Sequence, residues 1–278
     1  LRLTKTKEIE PMGEFKNTMD VFKLLEKTNC RKCGKPTCLA FAAAVFQGQI
    51  ALSECPFIGD DILKKYGSQK LKYESKFEHD YIKVMGQLKD RIKQIDLGSR
   101  AEELGGKFKN GRLILKIFGK DFGIDENGGI STDIHVNSWI APPVLNYVLS
   151  SKGIPLTGLW VPFRELETSK DWARFFEHQS VGAFKQVADT TPSFFKDIIE
   201  LFNGKQVQNH YDADISMIIY PLPLLPMLIC YNHAEEGLES DLNLFFDTSA
   251  DKNLPIENIY TLSTGLANMF KKLAKTHG

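Results

Sequence analysis

Four of the chain's five cysteines fall in one short stretch, with the spacing Cys30-x2-Cys33-x4-Cys38-x16-Cys55. Thiols packed this densely in a chain without a signal-peptide core call for a metal explanation before a disulfide one. Zinc favours two compact paired hooks, whereas only one tight pair exists here. Three close thiolates with a fourth returning from farther along the chain suit the larger cube of a [4Fe–4S] cluster. Gly34 permits a tight turn after Cys33, and Pro56 stops a helix from continuing past Cys55. Ala40, Ala42, Ala43 and Ala44 keep the intervening segment slim. Cys30, Cys33, Cys38 and Cys55 are therefore the candidate metal ligands, with a structural zinc site as the alternative.

The same segment resembles the iron–sulfur module that opens the large subunit of the corrinoid iron–sulfur protein family. The carrying residues are Cys30, Cys33, Gly34, Thr37, Cys38, Phe41, Ala42, Gly48, Cys55 and Pro56, and the likeness spans residues 17–65. A related module occurs in electron-transport complexes that use ferredoxin. The resemblance implies a [4Fe–4S] cluster that moves single electrons. Arg31, Lys32 and Lys35 add positive charge around the ligands, which raises a cluster's potential and attracts an acidic donor. In the plainer reading the cluster only staples a domain too small to hold itself together.

Charge separates the chain into halves. The 35 Lys and Arg balance 35 Asp and Glu, a neutral total that argues against a protein that coats nucleic acid. Residues 1–120, however, hold 24 basic against 15 acidic side chains, a net of +9, and residues 121–278 are net −9. Such asymmetry points to two units with different partners, or to halves that attract one another. No membrane partner is expected. The longest apolar stretch, Ile215–Tyr231, is broken by Pro221, Pro223 and Pro226 and reads as two buried strands. The charged start Leu1–Glu8 lacks an apolar core, so a cytoplasmic protein is expected.

Periodicity gives an α+β chain: a small helical iron–sulfur domain followed by a larger mixed domain with an antiparallel sheet. Helices are expected over 17–28, 37–50, 60–66 and 73–95, the last with a stripe of Leu71, Tyr73, Phe77, Tyr81, Val84, Leu88 and Ile92. Strands are expected at 112–118, 159–163 and 242–246, with an apolar hairpin over 214–231. Further helices are expected over 137–150, 170–202 and 255–275. The domains are drawn as 1–67 for the cluster, 68–105 as a helical linker and 106–278 as a cofactor- or partner-binding α+β domain.

Residues 106–275 resemble a family of uncharacterised prokaryotic domains often found behind this iron–sulfur module. The likeness rests on Pro155–Leu166, the hairpin ending Leu228-Ile-Cys-Tyr231, and Leu244–Asp247 before Leu254–Glu257. It implies no established activity, and it departs from the corrinoid iron–sulfur protein, whose large subunit continues into a barrel and a corrinoid-binding domain. Asp133-Ile-His135-Val-Asn-Ser138 resembles the loop that gives cobalamin a histidine ligand, although Ser138 replaces its final glycine. That likeness makes His135 a candidate cobalt ligand, with Trp139 and Trp160 as the floor of a corrinoid pocket. A capping histidine and core tryptophans are the alternative. Cys230, in the apolar hairpin, is expected to be a buried structural thiol. No phosphate-binding loop and no nucleophile–histidine–acid spacing is present.

The expected function is a cytoplasmic [4Fe–4S] protein of anaerobic metabolism that transfers low-potential electrons. It would exchange them with a ferredoxin-like donor and with a corrinoid (cobalamin) cofactor or corrinoid protein. The rival is a non-enzymatic binding or sensing module, with a structural cluster and a second domain that recognises a protein partner.

Overall fold

The computed structural model describes residues 15, 17–46, 48–66, 76–191, 193–208 and 210–277. Leu71, Tyr73, the Phe77 side chain and most of the N-terminal arm lie outside them. The chain forms two compact units, Leu1–Asp80 and Tyr81–Gly278.

In the small unit, α1 (Thr18–Lys23) starts where the Asn17 carboxamide accepts the Asp20 N–H. It stops five residues short of the expected end, because Lys27, Asn29 and Arg31 adopt positive φ and cannot continue a helix. Helix α2 (Cys38–Phe46) begins as anticipated, with the Thr37 hydroxyl accepting the Ala40 N–H, and ends before Gly48 at φ +66°. A 3-10 turn, Leu52–Glu54, delivers Cys55, and α3 (Asp60–Tyr66) follows. Among the described residues, Val21, Leu25, Phe41, Ala42, Val45, Leu52 and Ile58 form its buried core, with Phe15, Phe22, Ile62 and Leu63 among the partly buried side chains packed against it. So small an apolar centre is marginal without a staple.

Helix α4 (Lys76–Ile92) and α5 (Leu97–Arg100) come next. Leu88 and Ile92 of α4 are buried with Leu97, Ala101 and Leu104 in the core of the larger unit. Much of the segment expected to connect domains therefore contributes to that core. The expected stripe is interrupted, since Val84 is exposed.

The larger unit holds two antiparallel sheets, as an α+β fold requires. The first runs β1 (Lys107–Lys109), β2 (Arg112–Ile117), β3 (Lys120–Asp125), β4 (Ile130–Thr132) in that order. Helix α6 (Ala141–Ser150) carries Pro142 and Pro143 in its first turn, where a missing N–H costs nothing. After β5 (Trp160–Pro162) come α7 (Lys170–Phe176), a π-helical turn Glu177–Val181, α8 (Gly182–Thr190) and α9 (Phe194–Phe202). Strands β6 (Lys205–Val207), β7 (Ile215–Leu222), β8 (Leu225–Asn232) and β9 (Asp241–Asp247) complete the second sheet, ordered β5-β9-β8-β7-β6. Helices α10 (Ala250–Asn253) and α11 (Ile256–His277) close the chain. The short strands β1 and β6 have no periodic signal long enough to read from sequence.

The proline-rich hairpin forms as expected, with Ile215 opposite Tyr231 and Leu222 opposite Leu225. The register shifts between Ile219 and Leu222, where Pro221 removes a donor from the ladder. Strand β8 is buried from Leu225 to Tyr231 on both faces, so an unbroken apolar run replaces alternation. The Phe118 N–H, just past β2, donates to Tyr220 O of β7 at 3.1 Å and links the two sheets.

Two buried polar side chains fix the loop ahead of β5. The Asp247 carboxylate accepts from Thr157 N (3.1 Å) and Oγ1 (3.0 Å), Gly158 N (2.7 Å), and Ser249 N (3.0 Å) and Oγ (2.7 Å). Asn253 pairs with the backbone of Ile154 in both directions, accepting its N–H and donating to its carbonyl, each at 2.9 Å.

Burial alone would raise the Asp247 pKa, but the bonds from Ser249, Thr157 and Gly158 outweigh it and hold the carboxyl below its ordinary value. An amide at this position would turn N–H groups toward donors, so Asp247→Asn should cost about 2–3 kcal/mol in urea unfolding at neutral pH. The depressed pKa makes the carboxylate's contribution complete above the unfolded value of about 4 and progressively lost below it. The gap between wild type and D247N should therefore narrow in acid; a pH-independent gap would contradict the ionic role.

Candidate functional site

The four N-terminal cysteines meet at one pocket. It is also bordered by Leu25, Thr28, Phe41 and Phe57, by the cations Arg31 and Lys35, and by one carboxylate, Glu26. Cys30 is exposed, and Cys33, Cys38 and Cys55 are half-buried. Among the described residues, no group of three or more His, Cys, Asp or Glu is drawn to the separation that a single metal ion requires.

The backbone shapes this pocket. Positive φ recurs at every second residue, Lys27 (61°), Asn29 (50°) and Arg31 (62°), and again at Gly34 (75°). Alternation of this kind turns successive N–H groups toward one side and forms a concavity suited to an anion. The Asn29 N–H donates to Cys38 Sγ at 3.3 Å, while its carboxamide oxygen accepts the Cys38 N–H at 2.8 Å. Cys38 also opens α2. The Lys32 ammonium lies 4.9 Å from the Phe57 ring centroid at the pocket's edge.

The electrostatics carry the mark of clustering. The Lys32 backbone N–H, then the Thr28 hydroxyl and the Lys32 charge, hold the Cys30 thiol below its ordinary pKa despite some desolvation. The Cys55 thiol is pushed up, chiefly by burial, and further by the charges of Cys33, Cys30 and Cys38. The sulfurs are near enough for the other three cysteines to contribute to the rise at Cys55. The donor set fits an iron–sulfur cluster: four cysteine sulfurs at one pocket, backbone N–H groups of Asn29 and Lys32 directed at Cys38 and Cys30, and nearby cations.

The remaining expected site residues are scattered over the larger unit. His135, exposed, and Trp139, half-buried, border one groove along α11. The groove's volume is about 690 Å³, and Gln179, Tyr260, Thr264 and Lys272 also line it. Trp160 lies elsewhere, edge-on to His210 at 6.4 Å and packed with Ala213, Leu228 and Cys230. His135, Trp139 and Trp160 thus form no common pocket. Cys230 is buried, and burial pushes its thiol pKa up. The role of Asn29 escaped the sequence reading, although Asn tolerates positive φ better than most residues and was the available hint. The α11 stripe also escaped it, because a polar helix face normally reads as solvated.

A family model described as "Domain of unknown function (DUF3786)" matches residues 96–269, and one described as "Putative Fe-S cluster" matches residues 25–57. The acetyl-CoA decarbonylase/synthase complex subunit gamma of Methanocaldococcus jannaschii is 27% identical over 196 residues, covering 68% of this chain and 37% of that protein. The corrinoid/iron-sulfur protein large subunit of Moorella thermoacetica is 45% identical over 42 residues, covering 15% of this chain and 9% of that protein. The subunit gamma of Methanothermobacter thermautotrophicus is 43% identical over 47 residues, covering 17% and 10%. The matched region is thus 37% of the first relative's length and far less of the other two. No solved structure matches the chain.

In the metal-free, reduced chain at neutral pH, iodoacetamide should modify Cys30 before Cys55. It should leave Cys230 untouched until the larger unit unfolds. Peptide mass mapping reads the order, and early labelling of Cys230 would contradict its place in the hairpin.

Proposed function

This chain belongs to the DUF3786 family and carries an iron–sulfur module ahead of that domain, and we propose that it is a redox protein that exchanges single low-potential electrons with a corrinoid partner. Cys30, Cys33, Cys38 and Cys55 are the proposed ligands of a [4Fe–4S] cluster. Bound there, such a cluster supplies reversible one-electron transfer. The observation that carries the reading is the single pocket bordered by all four thiols, with the 27–34 backbone turned around it.

The chain's own residues suit this role. The loop's N–H groups and the Asn29–Cys38 bonds hold the sulfurs and offset their charge. Exposure of Cys30 leaves one ligand at the surface, where electrons can pass between proteins. Arg31, Lys32 and Lys35 favour an acidic donor of the ferredoxin type. The names of the corrinoid/iron-sulfur relatives support corrinoid chemistry on the accepting side. A corrinoid carried by a partner protein is the favoured form. A corrinoid held by this chain would rest on His135 and Trp139, which share a groove, without Trp160. An anaerobic cytoplasm is the setting that fits an exposed cluster, and among the described residues no helix is long and apolar enough to cross a membrane.

The second reading is a binding or sensing module whose cluster is structural. The small buried core among the described residues of the N-terminal unit favours it, because that unit needs a staple whatever else it does. Electron transfer separates the two readings.

Anaerobic reconstitution of the full chain with iron and sulfide should give about four of each per chain and a broad visible band that bleaches on reduction. Zinc without sulfide would overturn the cluster. The reduced chain should then reduce a corrinoid protein, followed by its cobalt spectrum. A cluster that forms but passes no electron would favour the structural reading. Asn29→Ala should reconstitute but lose iron severalfold faster, since it removes an acceptor and leaves alanine at positive φ.

A further inference from the structure

The groove along α11 stands independently of the cluster. Its volume of about 690 Å³ lies within the range of small-molecule sites, roughly 300–1,000 Å³. Tyr260, Thr264, Asn268 and Lys272 recur every four residues and form one continuous edge. At 1.5 Å per residue this edge is about 18 Å long.

The groove has a built interior. Near its middle, Trp139 packs directly on Gly265, where even a methyl group would overlap the ring. That glycine lets an aromatic wall lie against the helix backbone. At the Tyr260 end, the wall comes from the π-helical turn Glu177–Val181, a rare distortion that recurs at functional sites. Two bonds hold the turn to α11: Tyr260 OH donates to Gln179 Oε1 at 2.8 Å, and the Ser180 and Thr264 hydroxyls meet at 2.8 Å. Gln179 of the π turn thus lines the groove while bonded to Tyr260.

Charge selects the occupant. Residues 121–278 carry a net −9, yet among the described residues no Asp or Glu borders this groove. Its rim instead carries Lys272 and His135. Ring faces of Trp139 and Tyr260, amides of Asn268 and Gln179, and a cation at the end opposite Tyr260 form a graded surface. We infer that the groove binds an elongated organic anion, with a planar ring against Trp139 and Tyr260 and its acidic group at the Lys272 end.

Flavin mononucleotide and riboflavin share one ring system and differ by a phosphate, so together they test both halves of the inference. Anilinonaphthalene sulfonate serves as a second ring-bearing anion. Binding to the full chain is read by fluorescence polarisation and tryptophan quenching. Flavin mononucleotide or the sulfonate should bind at one site per chain, and flavin mononucleotide more tightly than riboflavin. Lys272→Gln should weaken flavin mononucleotide by roughly three- to tenfold and leave riboflavin unchanged. Asn268→Trp fills the groove from an exposed position, so the fold should survive, checked by circular dichroism, while binding is lost. The inference is overturned if no probe binds at millimolar concentration, or if N268W binds as wild type does. It is overturned equally if K272Q keeps the full preference for phosphate. Tight binding of hydroxocobalamin that competes at these residues, with the ring-bearing anions excluded, would return the groove to the corrinoid reading.

Discussion

Four cysteine sulfurs gathered at one pocket are the constraint around which the small unit is arranged. The chain between α1 and α2 accepts left-handed conformations at Lys27, Asn29 and Arg31, two of them residues without a local reason to be there. Each such residue costs on the order of 1 kcal/mol, and the buried core among the described residues of this unit is small. On the proposed reading, a cluster held by the loop would offset that cost, which couples cluster binding to the stability of this unit.

The larger unit is built on the opposite economy. Its core is extensive, running from Leu88 to Phe270, and few polar side chains are buried in it. Asp247 and Asn253 satisfy the backbone of the 151–158 loop from inside the protein, which lets an irregular segment lie against the sheet without stranded N–H groups. That loop displays Ile154 and Leu156 to solvent, and Leu159 follows it exposed, although its backbone is tied down. Rigidity and exposure come from the same two side chains.

How much of this could be read in the sequence follows from how local each cause is. The periodicity behind α1 and the slim Ala-rich α2 act over a few residues, and the structure starts both helices within one residue of the expected positions. The hairpin 215–232 was legible because β8 is apolar throughout, and β2 because it alternates. The shortening of α1 was not legible, because nothing about Lys27 or Arg31 announces positive φ. Neither was the groove. Its walls come from residues 134–140, 179 and 260–272, and only tertiary packing brings them together. His135 and Trp139 were noticed singly through a motif likeness, while Tyr260 and Gln179 carried no signal. Trp160 looked equivalent to Trp139 in sequence and is packed in a different cluster.

The order of strands in the second sheet also bears on how the unit assembles. Strands β7 and β8 are joined by only Pro223 and Leu224, so their pairing closes the smallest possible loop. Strand β5 is three residues long and pairs with β9 across most of the intervening chain, with Trp160 opposite Asp247. Loop-closure entropy thus places the proline hairpin early in folding and the β5 edge late. The bonds that Asp247 makes to Thr157 and Gly158 form only when that last edge docks. The carboxylate then acts as a latch on a finished sheet rather than as part of its nucleus, so its loss would be felt mainly in the rate of unfolding.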